Sequence, residues 1–157
     1  MEKIKLKILS EENAKEICSW RYEGDYAVYN FSDWEVVKEN SWDLAIEKKR
    51  TKEFLSIYLD DKLIAYGRIF INENKTFLGI GMKPSLCGNG YGKKIMTMLV
   101  EEAKIRYPDN LIVLEVRSFN KRAVKCYESV GFKIKNKYKK STYNGSDDFY
   151  YMEYKNN

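Results

Sequence analysis

The chain of 157 residues predicts an α/β fold, a single domain over residues 1–157 with a mixed central sheet of about seven strands flanked by about four helices. Three observations lead there. Residues 111–117, Leu-Ile-Val-Leu-Glu-Val-Arg, form a near-continuous apolar run of the kind that parallel pairing buries on both faces. A helical pattern follows a strand-like run twice in the second half, near residues 90–106 and 120–131. No internal repeat, linker or low-complexity tract interrupts the sequence, so one core serves its whole length.

The elements follow in order. Ile4, Leu6 and Ile8 alternate with lysines as in a half-buried strand. Ser10, with Glu11 and Glu12 behind it, starts a helix toward Trp20, because acidic residues suit the positive helix end. Ser32-Asp33-Trp34-Glu35 has the spacing of a capping box and opens a second helical stretch before Arg50. Strands over 53–60 and 62–70 meet at an Asp60-Asp61 turn, and Asn72-Glu73-Asn74 turns the chain into a strand over 76–82. Pro84, lacking a ladder N–H, ends that strand. A glycine-rich loop opens a helix from about Gly90 to Arg106, which stops before Pro108, and the 111–117 strand follows. Asn120 caps the next helix, whose Ala123, Tyr127 and Val130 share a face and which Gly131 ends. Strands near 132–138 and 149–154 finish the chain around an Asn144-Gly145 turn.

Composition removes several functions. The longest apolar runs fall far short of the ~20 residues of a membrane span, and Met1-Glu2-Lys3-Ile4-Lys5 is no signal peptide, so a cytoplasmic protein without a membrane partner is expected. Cys18, Cys87 and Cys126 form no CxxC pair, and an odd number argues against a disulfide framework. With no histidine, Ser-His-Asp and Cys-His catalysis are excluded and no metal is expected, leaving acid–base work to Glu, Asp, Tyr, Lys or Cys. The net charge of +5 is spread along the chain with no basic run, which fits a solvated surface better than a nucleic-acid partner.

The segment from Pro84 to Lys94 contains Cys87-Gly88-Asn89-Gly90-Tyr91-Gly92-Lys93, between a strand and a helix. Glycines there let successive N–H groups converge on an anion, and the start of the helix adds its own partial positive charge. Neither common nucleotide motif fits. No Ser or Thr follows Gly92-Lys93, and the spacing is G-x-G-x-G with no acidic residue about 20 positions on. A glycine-rich turn with no ligand fits the same residues.

A second motif narrows the choice. Leu114-Glu115-Val116-Arg117 leads through Asn120 and Ala123 to Tyr127 and Gly131-Phe132, an N-x-x-A-x-x-x-Y-x-x-x-G-F pattern. Together with the loop it resembles the GNAT superfamily of N-acetyltransferases, in its motifs most like the branch that includes the ribosomal-protein N-terminal alanine acetyltransferases. The resemblance covers residues 76–135 closely and the remainder in element order. It implies a GNAT-like fold with a splay between the fourth and fifth strands, acetyl-CoA as co-substrate, and a primary amine as acceptor, either a small molecule or a peptide N-terminus. It also implies a monomer or homodimer.

The resemblance further implies roles. Ile80, Gly81 and Met82 would offer backbone groups to pantetheine, with an N–H near Met82 stabilising the oxyanion. Gly88, Asn89, Gly90, Tyr91, Gly92 and Lys93 would cradle the pyrophosphate, and Asn120 would hold pantetheine or only the helix entry. Tyr127 would protonate the departing thiolate, and Glu115 would be the general base through water. Cys87 departs from the pattern, standing where the family usually has Arg or Gln. Plainer readings stand beside these: Tyr127 as core packing, Glu115 as a strand carboxylate, Lys93 and Lys94 as solvated helix residues, Cys126 as a helix-rim thiol. Trp20, Tyr22, Tyr26, Tyr29, Phe31 and Trp34 cluster between the first two helices, as core or cap by default, whereas the resemblance implies an acceptor side there, with Glu23, Asp25 and Asp33 to attract a cationic amine. The rival class is a non-catalytic acyl-CoA-binding or sensing domain that keeps the loop without the chemistry.

Overall fold

The computed structural model describes residues 3–142 and 145–155. Seven strands, β1 (Ile4–Ile8), β2 (Phe54–Leu59), β3 (Lys62–Asn72), β4 (Lys75–Met82), β5 (Leu111–Arg117), β6 (Phe132–Thr142) and β7 (Gly145–Tyr154), form a sheet in the order β1-β2-β3-β4-β5-β7-β6. Five α-helices are described, α1 (Glu11–Ser19), α2 (Trp34–Glu39), α3 (Glu47–Glu53), α4 (Tyr91–Arg106) and α5 (Lys121–Val130), with short 3-10 turns at Gly24–Tyr29, Asp43–Ala45 and Pro84–Leu86. The chain divides into two compact units, Met1–Arg68 with Ile80–Cys87, and Ile69–Gly79 with Gly88–Asn157.

In the first unit β1, β2 and β3 pair antiparallel, from Ile4↔Leu59 to Ile8↔Leu55 and from Phe54↔Arg68 to Leu59↔Lys62. Leu9, Ala14, Ile17, Cys18, Val37, Leu44, Phe54 and Leu63 form the core, with Phe31, Trp34, Trp42 and Tyr66 packed against it. Ile8 is exposed, contrary to the alternation expected for β1, and Leu9 takes the buried place. Helix α1 starts with a capping box, in which Ser10 Oγ accepts from the Asn13 N–H and Asn13 Oδ1 accepts from the Ser10 N–H, 3.1 Å each. The box expected at Ser32–Glu35 does not form. Asp33 is the N-cap without a side-chain cap bond, because its carboxylate pairs with Arg21 at 3.0 Å. The single helical stretch expected there is two helices, broken where Ser41 takes a φ of 52°.

In the second unit β4 and β5 run parallel in register over Lys75–Phe77 and Leu111–Val113. The ladder ends there although both strands continue, which is the splay between the fourth and fifth strands. The Glu73-Asn74 turn between β3 and β4 has both residues at positive φ, 51° and 64°, as a two-residue hairpin loop requires. β5 pairs antiparallel with β7, and β7 with β6, which is the edge strand. Ile95, Met96, Leu99 and Ala103 of α4, and Leu114, Phe132 and Met152 of the strands, are fully buried. The β6–β7 hairpin is longer than its apolar pattern suggested, closing at Thr142↔Gly145. Asn144, half of the expected Asn144-Gly145 turn, lies outside the described residues.

Candidate active site

The glycine-rich loop opens the longest helix. Gly88 and Gly90 take φ of 84° and 83°, left-handed values that L side chains resist, and a Cβ at either would meet nothing within 4 Å. Gly90 is the N-cap of the 16-residue α4, which has no side-chain cap bond and no acidic residue in its first turn. The other long helices begin differently. α1 has its box plus Glu11 and Glu12, and on α5 Asn120 Oδ1 accepts from the Ala123 N–H at 3.2 Å. α4 instead carries the exposed ammoniums of Lys93 and Lys94 on its first turn. Partial positive charge and two cations without a capping acid make a start suited to an external anion.

That first turn rests on α5. A Cβ at Gly92 would lie 3.1 Å from Cys126 Sγ, so the absence of a side chain lets the two helices approach. Burial pushes the Cys126 thiol up, with Lys93 partly opposing it, so Cys126 is not an activated nucleophile. One residue on, Tyr127 is half-buried on α5, its ring edge-on to Phe132 at 6.3 Å.

The end of β4 is organised by two tyrosines within the first unit. A Cβ on Gly81 would overlap the Tyr66 ring, so only glycine fits beneath it. The Tyr22 hydroxyl donates to the Met82 carbonyl at 2.6 Å, and the Lys83 N–H donates to the Ile64 carbonyl at 2.8 Å. Burial first, then the neighbouring Tyr66 and Cys87, push the Tyr22 phenol well above its ordinary range, so it remains a neutral donor. Cys87 turns its thiol toward the Met82 and Lys83 carbonyls, 3.9 and 3.7 Å away. Nothing in the local sequence signals these contacts, since Tyr22 and Met82 lie 60 residues apart.

The aromatic cluster expected between the first helices separates into two groups. Trp20 belongs to the core and Phe31 and Trp34 pack against it, whereas Tyr26 and Tyr29 stack at 6.5 Å, with Tyr22 edge-on to Tyr29 at 6.4 Å. Asp33 is engaged by Arg21, while Glu23 and Asp25 are exposed beside the tyrosines.

Glu115 is held from two sides in the second unit. The Tyr138 hydroxyl donates to its Oε2, and Lys140 Nζ lies 2.7 Å from its Oε1. Burial and then the Glu115 hydrogen bond push the Tyr138 phenol far up. Arg117, buried, pairs with Asp147 at 3.1 Å. Among the described residues no three Cys, Asp or Glu side chains gather into a metal-holding group, and no helix is long and apolar enough to cross a membrane.

Residues 14–132, more than half of the chain, match the Acetyltransferase (GNAT) family. The chain belongs to that family. Solved structures agree with this GNAT fold. A SpeG spermidine N-acetyltransferase chimera from Vibrio cholerae and hSSAT superposes with a TM-score of 0.76 at 18% identity, covering 97% of this chain and 94% of that one. The ribosomal-protein-S18-alanine N-acetyltransferase from Escherichia coli gives 0.67 at 19% identity, covering 98% and 93%. AAC(6')-Ib, in complex with paromomycin and acetyl-CoA, gives 0.74 at 18% identity, covering 97% and 93%. No curated protein matches the sequence itself. The element order, the parallel β4–β5 pair and its splay are thus those of a GNAT acetyltransferase.

Proposed function

We propose that this GNAT chain transfers the acetyl group of acetyl-CoA directly to a primary amine in the cytoplasm. The observation that carries the reading is the start of α4. Among the described residues it is the one long helix with neither a side-chain cap nor a first-turn acid, it is entered through two left-handed glycines, and its first turn carries Lys93 and Lys94. A pyrophosphate supplies the negative charge such a start lacks.

On this reading the backbone of Gly88, Asn89, Gly90, Tyr91 and Gly92 takes the pyrophosphate, with Lys93 adding charge. Ile80, Gly81 and Met82 face the pantetheine arm, and Gly81 stays bare because Tyr66 fills the space above it. Asn120, already the α5 cap, holds the helix that carries Tyr127. Cys87 lacks the donor side chain of the Arg or Gln usual at that place in the family, so backbone donors carry the phosphate contact.

Acetyl-CoA contributes an activated thioester. The amine must attack as the neutral base. An alkylamine of pKa ~10.4 pays roughly 4–5 kcal/mol to be neutral at pH 7, and an α-amine of ~7.7–8.0 about 1 kcal/mol. Glu115, acting through water, therefore matters most for alkylamines. An N–H near Met82 stabilises the tetrahedral oxyanion. A tyrosine phenol, ordinarily of pKa ~10, is suited to protonate a thiolate whose acid has an ordinary pKa of ~8.5, and Tyr127 is given that role. The acceptor is a small-molecule amine or a protein N-terminal amine. Structural neighbours named for spermidine and for an S18 alanine support the amine class.

The test is release of free CoA thiol from acetyl-CoA across a panel of alkyl, polyamine and peptide α-amines. Saturable, amine-dependent release supports transfer. Tight acetyl-CoA binding without release on any amine supports a sensing domain instead.

A further inference from the structure

Lys140 makes an ion pair that is not its nearest option. In the sheet register Lys140 faces Asp147, but Arg117 holds Asp147 at 3.1 Å. Glu115 sits elsewhere, on β5 opposite Tyr151, with Asn136 of β6 beyond it. The Lys140 side chain runs back over the Phe149 ring, its Nζ 5.6 Å from the centroid, and ends 2.7 Å from Glu115 Oε1. Glu115 Oε2 accepts from Tyr138. One carboxylate oxygen and an aromatic face thus receive a single primary ammonium, while the Tyr138 phenol fixes the carboxylate through its other oxygen.

The two partners differ in their access to water. The Lys140 side chain is 50% exposed and that of Glu115 21%. β6 is the edge strand, so the lysine can swing into solvent without disturbing the sheet, whereas the carboxylate stays fixed on β5. An ion pair so exposed on its cationic side is worth little and exchanges readily.

We propose that Glu115, oriented by Tyr138, and the face of Phe149 form a binding site for a primary ammonium, and that Lys140 occupies it as an internal stand-in which a cationic acceptor must displace. This rests on the proposed place of Glu115 at the acceptor amine. It makes Lys140 a specificity-determining residue. A strongly cationic amine competes with Lys140 for Glu115, and a neutral or anionic one has no means to displace it.

The experiment uses the full chain with n-butylammonium chloride as probe, and lysines carbon-13 labelled at Cε. The Lys140 resonance is assigned by its loss in Lys140→Met. Butylammonium should move that resonance to the position of a solvated lysine, while sodium chloride at equal ionic strength should not. The apparent Kd for butylammonium should tighten about two- to fivefold in Lys140→Met, the range an exposed ion pair spans, and weaken at least fivefold in Glu115→Gln. Acetyl-CoA affinity should be the same in wild type and Lys140→Met. A Lys140 resonance that responds equally to both salts, or a Lys140→Met protein that binds butylammonium no better than wild type, overturns the site. Tighter butylammonium binding with no thiol release on any amine leaves the site standing and removes the transfer reaction. Thiol release whose amine dependence ignores Lys140→Met does the reverse.

Discussion

Gly90 offers the sharpest test of the proposed anion-binding loop, because its substitution isolates backbone strain from packing. At φ 83° an L residue is in the left-handed region, while a Cβ would meet no atom within 4 Å. Gly90→Ala therefore introduces no clash, and its whole cost is conformational, about 1–2 kcal/mol. That energy has two outlets. If the loop keeps its shape, global stability falls by this amount, which for a protein of this size is roughly 2–8 °C in Tm. If the loop relaxes instead, the protein keeps its stability and acetyl-CoA affinity falls, by about 5- to 30-fold for the same energy. The two penalties should together come to about 1–2 kcal/mol. Gly90→Asn should show about half of that, because asparagine tolerates the left-handed region. Calorimetric unfolding and acetyl-CoA titration on the three proteins measure both. A Gly90→Ala protein with unchanged Tm and unchanged acetyl-CoA Kd refutes the claim that a left-handed residue shapes this site.

Other expectations follow from the same geometry. Tyr127→Phe keeps the edge contact with Phe132 and should change stability by no more than about 1 kcal/mol, while kcat falls about 10²- to 10⁴-fold at constant acetyl-CoA affinity. An unaltered kcat removes the general-acid role. Gly81→Ala forces its methyl into the Tyr66 ring and should cost about 1–3 kcal/mol, and Tyr66→Ala in the same chain should recover part of it in a double-mutant cycle. Strict additivity of the two substitutions would contradict the contact. Burial, partly opposed by Arg21, pushes the Cys18 thiol up to about 11 from an unfolded value of 9.0. Below pH 9 both states hold the proton, and between 9 and 11 only the unfolded chain releases it, so stability falls as pH rises through that window, by about 2–3 kcal/mol. Denaturant unfolding at pH 8 and pH 11 should show this extra loss in wild type and not in Cys18→Ala; equal losses would place the effect elsewhere.

Much of this was legible in the sequence, and what was not has physical reasons. The β5 run, the Gly88–Gly92 loop, the Asn120 cap and the Gly131 stop are local signals, and each appears in the structure at its expected place. The length of β6 was not legible, since an edge strand of alternating and paired lysines buries little and shows no apolar period. The box expected at Ser32 is absent, with Asp33 as the cap paired to Arg21, 12 residues away in sequence, while α1 has a box at Ser10 closed by Asn13. At the site, residue types on a motif were readable, while their partners were not. Tyr22 on Met82, Tyr66 over Gly81 and Lys140 on Glu115 join residues 60, 15 and 25 positions apart, beyond any window of periodicity. Glu115 gained most from the structure, changing from a lone strand carboxylate to one held by a phenol and an ammonium.

The most direct test of acetyl transfer to an amine is a single-turnover reaction with acetyl-CoA labelled in the acetyl carbonyl. The enzyme is held in excess, and both the intact protein mass and the amine product are followed in time. Direct attack predicts that the label appears as an amide on the amine as the thiol is released, with no acetyl-protein that forms and decays at the same rate. A label that rests first on the protein and then moves to the amine, or one that never leaves CoA, would contradict the account.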